Sequence, residues 1–178
     1  MIISSLGLKD IITDSTASLV GLELGVYRGE NAHWLLSTFS NLTLHGIDPY
    51  VPYNDWNGAV NCSDQDLRDG KRADIIADEY LSVFKHQGRY IHHKKTSDEA
   101  VGDFSNEQFD FIFIDGLHEY SQVLLDCQNY YGKLKPGGIF SGHDYLTIEG
   151  VRRAVDEFAA SVLKNVSLMP TDAWYWIK

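Results

Sequence analysis

The sequence predicts a doubly wound α/β fold on a mostly parallel sheet, and three observations predict it. Seven short apolar runs of strand character lie along the 178 residues, and segments of helical periodicity separate nearly all of them. The run FDFIFID at 109–115 is almost continuously apolar, as a strand covered on both faces requires. The last two runs are separated only by Pro170-Thr171-Asp172, too short for a parallel crossover, so the final strand turns back antiparallel.

The strands are expected at Leu19–Leu24, Leu42–Asp48, Gly88–His93, Phe109–Asp115, Gly138–Ser141, Val166–Met169 and Ala173–Ile177. Trp34, Leu35 and Phe39 mark the helix after the first strand, and Ile75, Ile76, Tyr80, Val83 and Phe84 the helix before the third. Val123, Leu124, Cys127, Tyr130 and Tyr131 place a helix after the fourth strand; Val151, Val155, Phe158, Ala159 and Val162 place one after the fifth. Gly88 and Gly132 serve as helix stops, and Lys135-Pro136-Gly137-Gly138 as the turn into the fifth strand. Leu6, Leu8, Ile11 and Ile12 suggest at most one short helix before the first strand.

The length suits one domain, 1–178, able to bury roughly 70% of its unfolded surface without disulfide or structural metal. Fifteen basic residues against twenty-five acidic ones give a formal charge of −10, which argues against nucleic acid and anionic membrane surfaces as partners. No apolar run reaches the roughly twenty residues of a membrane span, and the N-terminus has no signal-peptide pattern. Cys62 and Cys127 form no zinc-type group and read as a loop thiol and a buried helix residue. The expectation is a cytoplasmic, acidic domain acting on a small molecule.

In an open α/β sheet the ligand binds beyond the carboxyl ends of the strands. The first strand ends at Glu23-Leu24-Gly25-Val26-Tyr27-Arg28-Gly29, where Tyr27 takes the place of the middle glycine of a dinucleotide loop and would obstruct a pyrophosphate. The second ends at Asp48, about twenty residues on, where an acid accepts hydrogen bonds from ribose hydroxyls of any nucleoside. Pro49, Tyr50, Tyr53 and Trp56 then make an aromatic loop that either stacks on a ring or packs over the sheet edge. After the third strand comes Lys94-Lys95-Thr96-Ser97-Asp98-Glu99, with Ser97 suited to cap a helix.

The fourth strand delivers Asp115, with His118 three residues later, and the fifth delivers His143-Asp144 beside them. A carboxylate at the end of an apolar strand is costly unless solvent or a partner meets it, and convergence from separate segments is typical of a catalytic site. The bland alternatives are that His118 caps the helix beginning near Tyr120 and that His143 braces its loop. His92 and His93 are explained by core packing or loop bonding.

Taken together, E-x-G-x-x-x-G at 23–29, IDGLHEYSQVLLD, LKPGGIFSGHDY and GVRRAVDEF resemble class I S-adenosylmethionine (SAM) methyltransferases over nearly the whole chain from about Val20. The branch is that of small-molecule O-methyltransferases of the macrocin type and related sugar-modifying enzymes. The resemblance implies a Rossmann-like sheet of order 3-2-1-4-5-7-6 with an antiparallel seventh strand. It puts Glu23, Gly25, Tyr27 and Gly29 at the methionine end of the cofactor, Asp48 at the ribose, Thr96 and Ser97 near the adenine, and Asp115 beside the cofactor.

Metal-dependent members hold Mg²⁺ through the strand-four aspartate and two acidic residues after strand five. Asp115 and Asp144 match; His143 stands in the remaining place, and Leu117 where a second aspartate often stands. Mg²⁺ prefers oxygen ligands, and a histidine favours Mn²⁺ or another transition ion. The implied reaction is methyl transfer from SAM to a hydroxyl of a small molecule, a sugar or glycoside. His118 then acts as general base, with His143 second, while Asp115 and Asp144 position the hydroxyl directly or through a cation.

Two other classes stay open. An NAD-dependent oxidoreductase is opposed by Tyr27 and the C-terminal hairpin, and a non-catalytic nucleoside-binding scaffold by the converging polar cluster. Cover for the site comes from the aromatic loop at 49–62, from a second subunit in a homodimer, or is lacking because the substrate is large.

Overall fold

Seven strands form one sheet: β1 (Leu19–Leu24), β2 (Leu42–Ile47), β3 (Tyr90–His93), β4 (Phe109–Ile114), β5 (Leu134–Gly142), β6 (Ser167–Met169) and β7 (Ala173–Ile177). The computed structural model describes residues 4–12, 17–51, 53–54, 60–61 and 72–178. The order is β3-β2-β1-β4-β5-β7-β6. The first five strands run parallel, and β7 lies antiparallel between β5 and β6, as expected. A separate two-residue ribbon pairs Tyr53–Asn54 with Val60–Asn61. Trp56 and Cys62 lie outside the described residues.

Helices α1 (Leu8–Ile11), α2 (Glu30–Thr38), α3 (Ala73–Tyr80), α4 (Ser82–His86), α5 (Ser97–Ala100), α6 (Tyr120–Tyr131) and α7 (Glu149–Ser161) complete the fold. Alternation along β4 supplies both cores. Ile112 and Ile114 join Tyr130, Phe140, Phe158 and Trp174 on one face; Phe111 and Phe113 join Leu8, Leu35 and Leu44 on the other. On α7, Val151, Ala154, Val155, Phe158 and Ala159 are buried while Arg152, Arg153, Asp156 and Glu157 are exposed, the stripe its periodicity predicts. Among the described residues no helix is long and apolar enough to cross a membrane.

Several expectations need correction or refinement. Strand β5 starts at Leu134, not Gly138: Leu134 pairs with Phe109 and Ile139 with Phe111, so Lys135–Gly138 bulge opposite Asp110 inside the strand. The expected turn into the strand is instead an irregularity within it, and the ladder resumes the pairing begun before it. Gly132 ends α6 in a right-handed conformation, at φ −67, whereas Gly88, at φ +69, follows α4 in the left-handed one. The cap of α5 is Thr96 rather than Ser97; its hydroxyl accepts from the Glu99 N–H while the Glu99 carboxylate accepts from the Thr96 N–H. Nor does His118 cap α6, whose N-cap is Glu119.

Candidate active site

The ends of β1, β2 and β4 open on a cavity of about 550 Å³. Glu23, Gly25, Tyr27, Asp48, Thr96, Ser97, Asp115 and His118 all line it. Gly29 stands outside, at φ +80, as the N-cap of α2. Backbone bonds lace the three strand ends together, with the Gly25 N–H on the Ile47 carbonyl at 2.9 Å and the Asp115 N–H on the Leu24 carbonyl at 2.8 Å. Gly25 sits at φ +86, and a Cβ there would fall 2.0 Å from the Asp115 carbonyl oxygen. Only glycine fits.

Glu23 is 1% exposed. Its Oε1 accepts from Asn31 Nδ2 at 2.7 Å, and its Oε2 is buried with no hydrogen-bond partner among the described residues. Burial pushes its carboxyl up to about 8, against the pull of the Asn31 amide. A buried, unsatisfied carboxylate oxygen on a cavity wall is costly until a donor meets it.

Asp48 fastens the neighbouring loops. Its Oδ2 accepts from the N–H groups of Val26 and Tyr27 at 3.0 and 2.8 Å, and its Oδ1 from the N–H of Tyr50 at 2.9 Å. A carboxylate has about four acceptor directions, so capacity for a ribose hydroxyl remains. Burial raises its pKa, and the Tyr50 and Val26 amides, with His92 and Lys94 nearby, oppose that rise. Tyr27, held in the left-handed region at φ +52, also receives the Tyr50 hydroxyl on its carbonyl at 2.7 Å; its half-exposed ring carries the Arg28 guanidinium at 4.8 Å.

At the far end, Gln122 Nε2 donates to Ser97 Oγ at 3.3 Å and to Asp126 Oδ1 at 3.1 Å. Both Gln122 and Asp126 line the cavity, and sequence reasoning missed them. Asp126, 2% exposed, is pushed up to about 6 by burial. A signal was present: it falls between Val123, Cys127 and Tyr130 on the apolar face of α6. His92 packs edge-on against Tyr50, while His93 Nε2 lies 3.0 Å from His45 Nδ1, so both are accounted for locally.

The acid–imidazole cluster forms as expected. His118 Nε2 lies 3.0 Å from Asp144 Oδ2 and 3.9 Å from Asp115 Oδ1; His143 Nδ1 lies 3.2 Å from Asp144 Oδ1 and 3.6 Å from Asp115 Oδ1. Asp144 reaches this position at φ +61, which aspartate tolerates better than most residues. Gly142 lets the strands approach, since a Cβ there would lie 2.5 Å from the Ile114 carbonyl oxygen.

Burial disfavours both imidazolium ions, but hydrogen bonds donated to the two carboxylates outweigh it and raise each histidine to about 10. The same pairs hold Asp115 and Asp144 low despite burial. Asp115, His118 and Asp144 present ligand atoms within 4.8 Å of one another, a group able to hold a metal ion. His143 Nε2 faces the Thr171 carbonyl at 2.7 Å. A carbonyl only accepts, so that nitrogen carries a proton, and Nδ1 is the ring atom turned to the carboxylates.

The sequence profile of the methyltransferase-domain family matches residues 22–145, from Leu22 within β1 through Tyr145. A curated relative, the uncharacterized protein y4gI of Sinorhizobium fredii, is 32% identical over 69 residues, 36% of this chain and 8% of that protein. The chain therefore spans a small fraction of that relative's length. The structure is similar to that of the O-methyltransferase NovP, with TM-score 0.66 and 18% identity, covering 97% of this chain and 76% of the other. It is similar also to an O-methyltransferase from Bacillus cereus in complex with SAH, with TM-score 0.63 and 15% identity over 96% of this chain and 79% of the other. Identity at this level speaks for the fold, and the profile match covers more than half of the chain: the chain belongs to the methyltransferase-domain family and has the Rossmann-like fold of these O-methyltransferase structures.

Proposed function

We propose that the chain moves a methyl group from SAM to a hydroxyl of a small molecule, a sugar or glycoside, with a divalent cation at the Asp115–Asp144 pair. The O-acceptor class draws on the named activity of NovP and the Bacillus cereus enzyme. The observation that carries the reading is the buried Oε2 of Glu23 on the cavity wall, without a hydrogen-bond partner among the described residues and, once ionised, an acceptor suited to the ammonium of a methionine moiety.

Glu23 binds that ammonium, and Gly25 lets the donor lie against the backbone. Asp48 takes the ribose hydroxyls, while Thr96 and Ser97 border the base. When bound, SAM supplies an electrophilic methyl on sulfur, and the chain's task is to align the incoming hydroxyl, exclude water and remove one proton. His118, on the cavity wall, takes that proton. His143, anchored to Thr171, turns Nδ1 toward Asp115 and Asp144 as a third donor for the cation. A cation held there supplies Lewis acidity and offsets the carboxylate charge that favours protonated imidazoles.

Calorimetric titration with SAM, S-adenosylhomocysteine and NAD, each with and without Mg²⁺ or Mn²⁺, tests this. The expected result is binding of the SAM pair and not of NAD, with Mn²⁺ favoured over Mg²⁺. NAD binding alone would turn the assignment to an oxidoreductase, and no binding at all to a scaffold. S-adenosylhomocysteine release with a panel of sugars and glycosides then tests the acceptor.

A further inference from the structure

The segment before α1 reaches the site at two points. Ser5 is fully buried, and both its N–H and its hydroxyl donate to Asn31 Oδ1, at 3.0 and 2.7 Å. Two donors on that oxygen fix which way the Asn31 amide faces, so Nδ2 is the atom turned to Glu23 Oε1, at 2.7 Å. Ser4 lines the cavity, and its carbonyl lies 3.0 Å from the Thr171 hydroxyl, which it shares with the Pro170 carbonyl. The Thr171 carbonyl in turn accepts from His143 Nε2 at 2.7 Å.

Thr171 does this at φ +69, a conformation unfavourable for a β-branched residue, so its surroundings must hold it there. The segment is tied to the core behind the turn: Leu8 is fully buried, and a Cβ on Gly7 would meet the Met169 side chain at 2.7 Å. Hydrogen bonds thus tie Glu23 through Asn31 to Ser5, and Ser4, the next residue along the chain, through Thr171 to His143.

We propose that the Ser4–Ser5 turn is a positioning element of the methyl-transfer site, aiming Glu23 through Asn31 and His143 through Thr171. The inference rests on the methyl-transfer reading above. Without the Ser5 hydroxyl, Asn31 is held by one donor, and the carboxylate that meets the ammonium loses its fixed aim. Without the Thr171 hydroxyl, the turn carrying the His143 acceptor is released from the strap. Ser5 and Thr171 touch neither reacting atom, and each acts through another residue.

Ser5→Ala, Asn31→Ala, Thr171→Ala and Thr171→Ser are compared with the unaltered protein for S-adenosylhomocysteine Kd, SAM KM, kcat and unfolding midpoint. Ser5→Ala is expected to raise Kd and KM about 3- to 10-fold, the span of one net hydrogen bond, with kcat changed less than about twofold. Asn31→Ala moves the same quantities further. Thr171→Ala lowers kcat about 3- to 10-fold while Kd stays near the parent value, and Thr171→Ser restores kcat. The Ser5→Ala/Thr171→Ala pair loses less than the product of its singles, because one strap carries both effects. Unchanged Kd and KM in both Ser5→Ala and Asn31→Ala would overturn the strap, as would losses in Kd and kcat together that follow the unfolding midpoint. Failure of the unaltered protein to bind S-adenosylhomocysteine would instead overturn the methyl-transfer reading.

Discussion

His118 and Asp144 meet at 3.0 Å across the mouth between β4 and β5, joining an imidazole from one strand end to a carboxylate from the next. Asp115 stands 3.9 Å from the same ring nitrogen, so the His118 ring sits between two half-buried carboxylates. Replacing His118 by Gln removes the imidazole proposed to take the proton. Methyl transfer is expected to fall about 10²- to 10⁴-fold, the usual contribution of a general base, while S-adenosylhomocysteine Kd changes less than about threefold. Steady-state kinetics beside calorimetry checks this split, and an unchanged kcat would remove His118 from the proton-transfer role.

Glu23 gives a pH dependence with a definite sign. Its carboxyl titrates near 8 in the folded chain against a reference of 4.5, so between those values the folded state holds more protons than the unfolded one. Its contribution to stability is full below 4.5 and is lost as pH rises through 8. Glu23→Gln should flatten this decline, and its unfolding midpoint should exceed the parent's above pH 8. In the parent, affinity for S-adenosylhomocysteine should strengthen as pH climbs toward 8, because the ammonium requires the ionised carboxylate. In the Gln variant affinity is weaker and this slope disappears.

Gly25→Ala tests the cradle. The added methyl would lie 2.0 Å from the Asp115 carbonyl oxygen, and φ +86 adds strain of its own. Both β1 and β4 must shift to accept it, which lowers the unfolding midpoint by several degrees and weakens S-adenosylhomocysteine more than about tenfold. Parent-like binding would mean that the loop does not touch the donor.

Cys127 is fully buried in the core beneath α6, and burial pushes its thiol far above the ordinary range. In a Cys62→Ser background, a thiol reagent should leave the native protein unmodified and label Cys127 only in denaturant. The rate of labelling at intermediate denaturant then reports opening of the α6 core.

Legibility followed the range over which each property is decided. Asp48 and Asp115 stood out because an acid at the end of an apolar run is a local pattern, and the short β6–β7 connection determines strand direction by itself. Thr96 was legible too: Thr96-Ser97-Asp98-Glu99 has capping-box spacing, and attention to Glu99 rather than to the serine identifies the cap. Ser5 and Thr171 were not legible. Their roles depend on contacts made 26 and 167 residues away, and neither residue type carries a signal until the fold supplies the partner. The early start of β5 failed for a similar reason, since only pairing with Phe109 makes a strand of Leu134.

The place of β7 in the sheet has a consequence for biosynthesis. Strand β5 is complete at Gly142, yet its neighbour on one side is β7, which begins at Ala173. Until the ribosome has released those last strand residues, Ile139–Gly142 presents an open apolar edge, and Phe140 lacks the Trp174 and Trp176 rings that stack against it. A nascent chain stalled or cleaved before Ala173 therefore leaves β5 as an unpaired edge on a sheet that is still a template for aggregation, and only the arrival of β7 closes it.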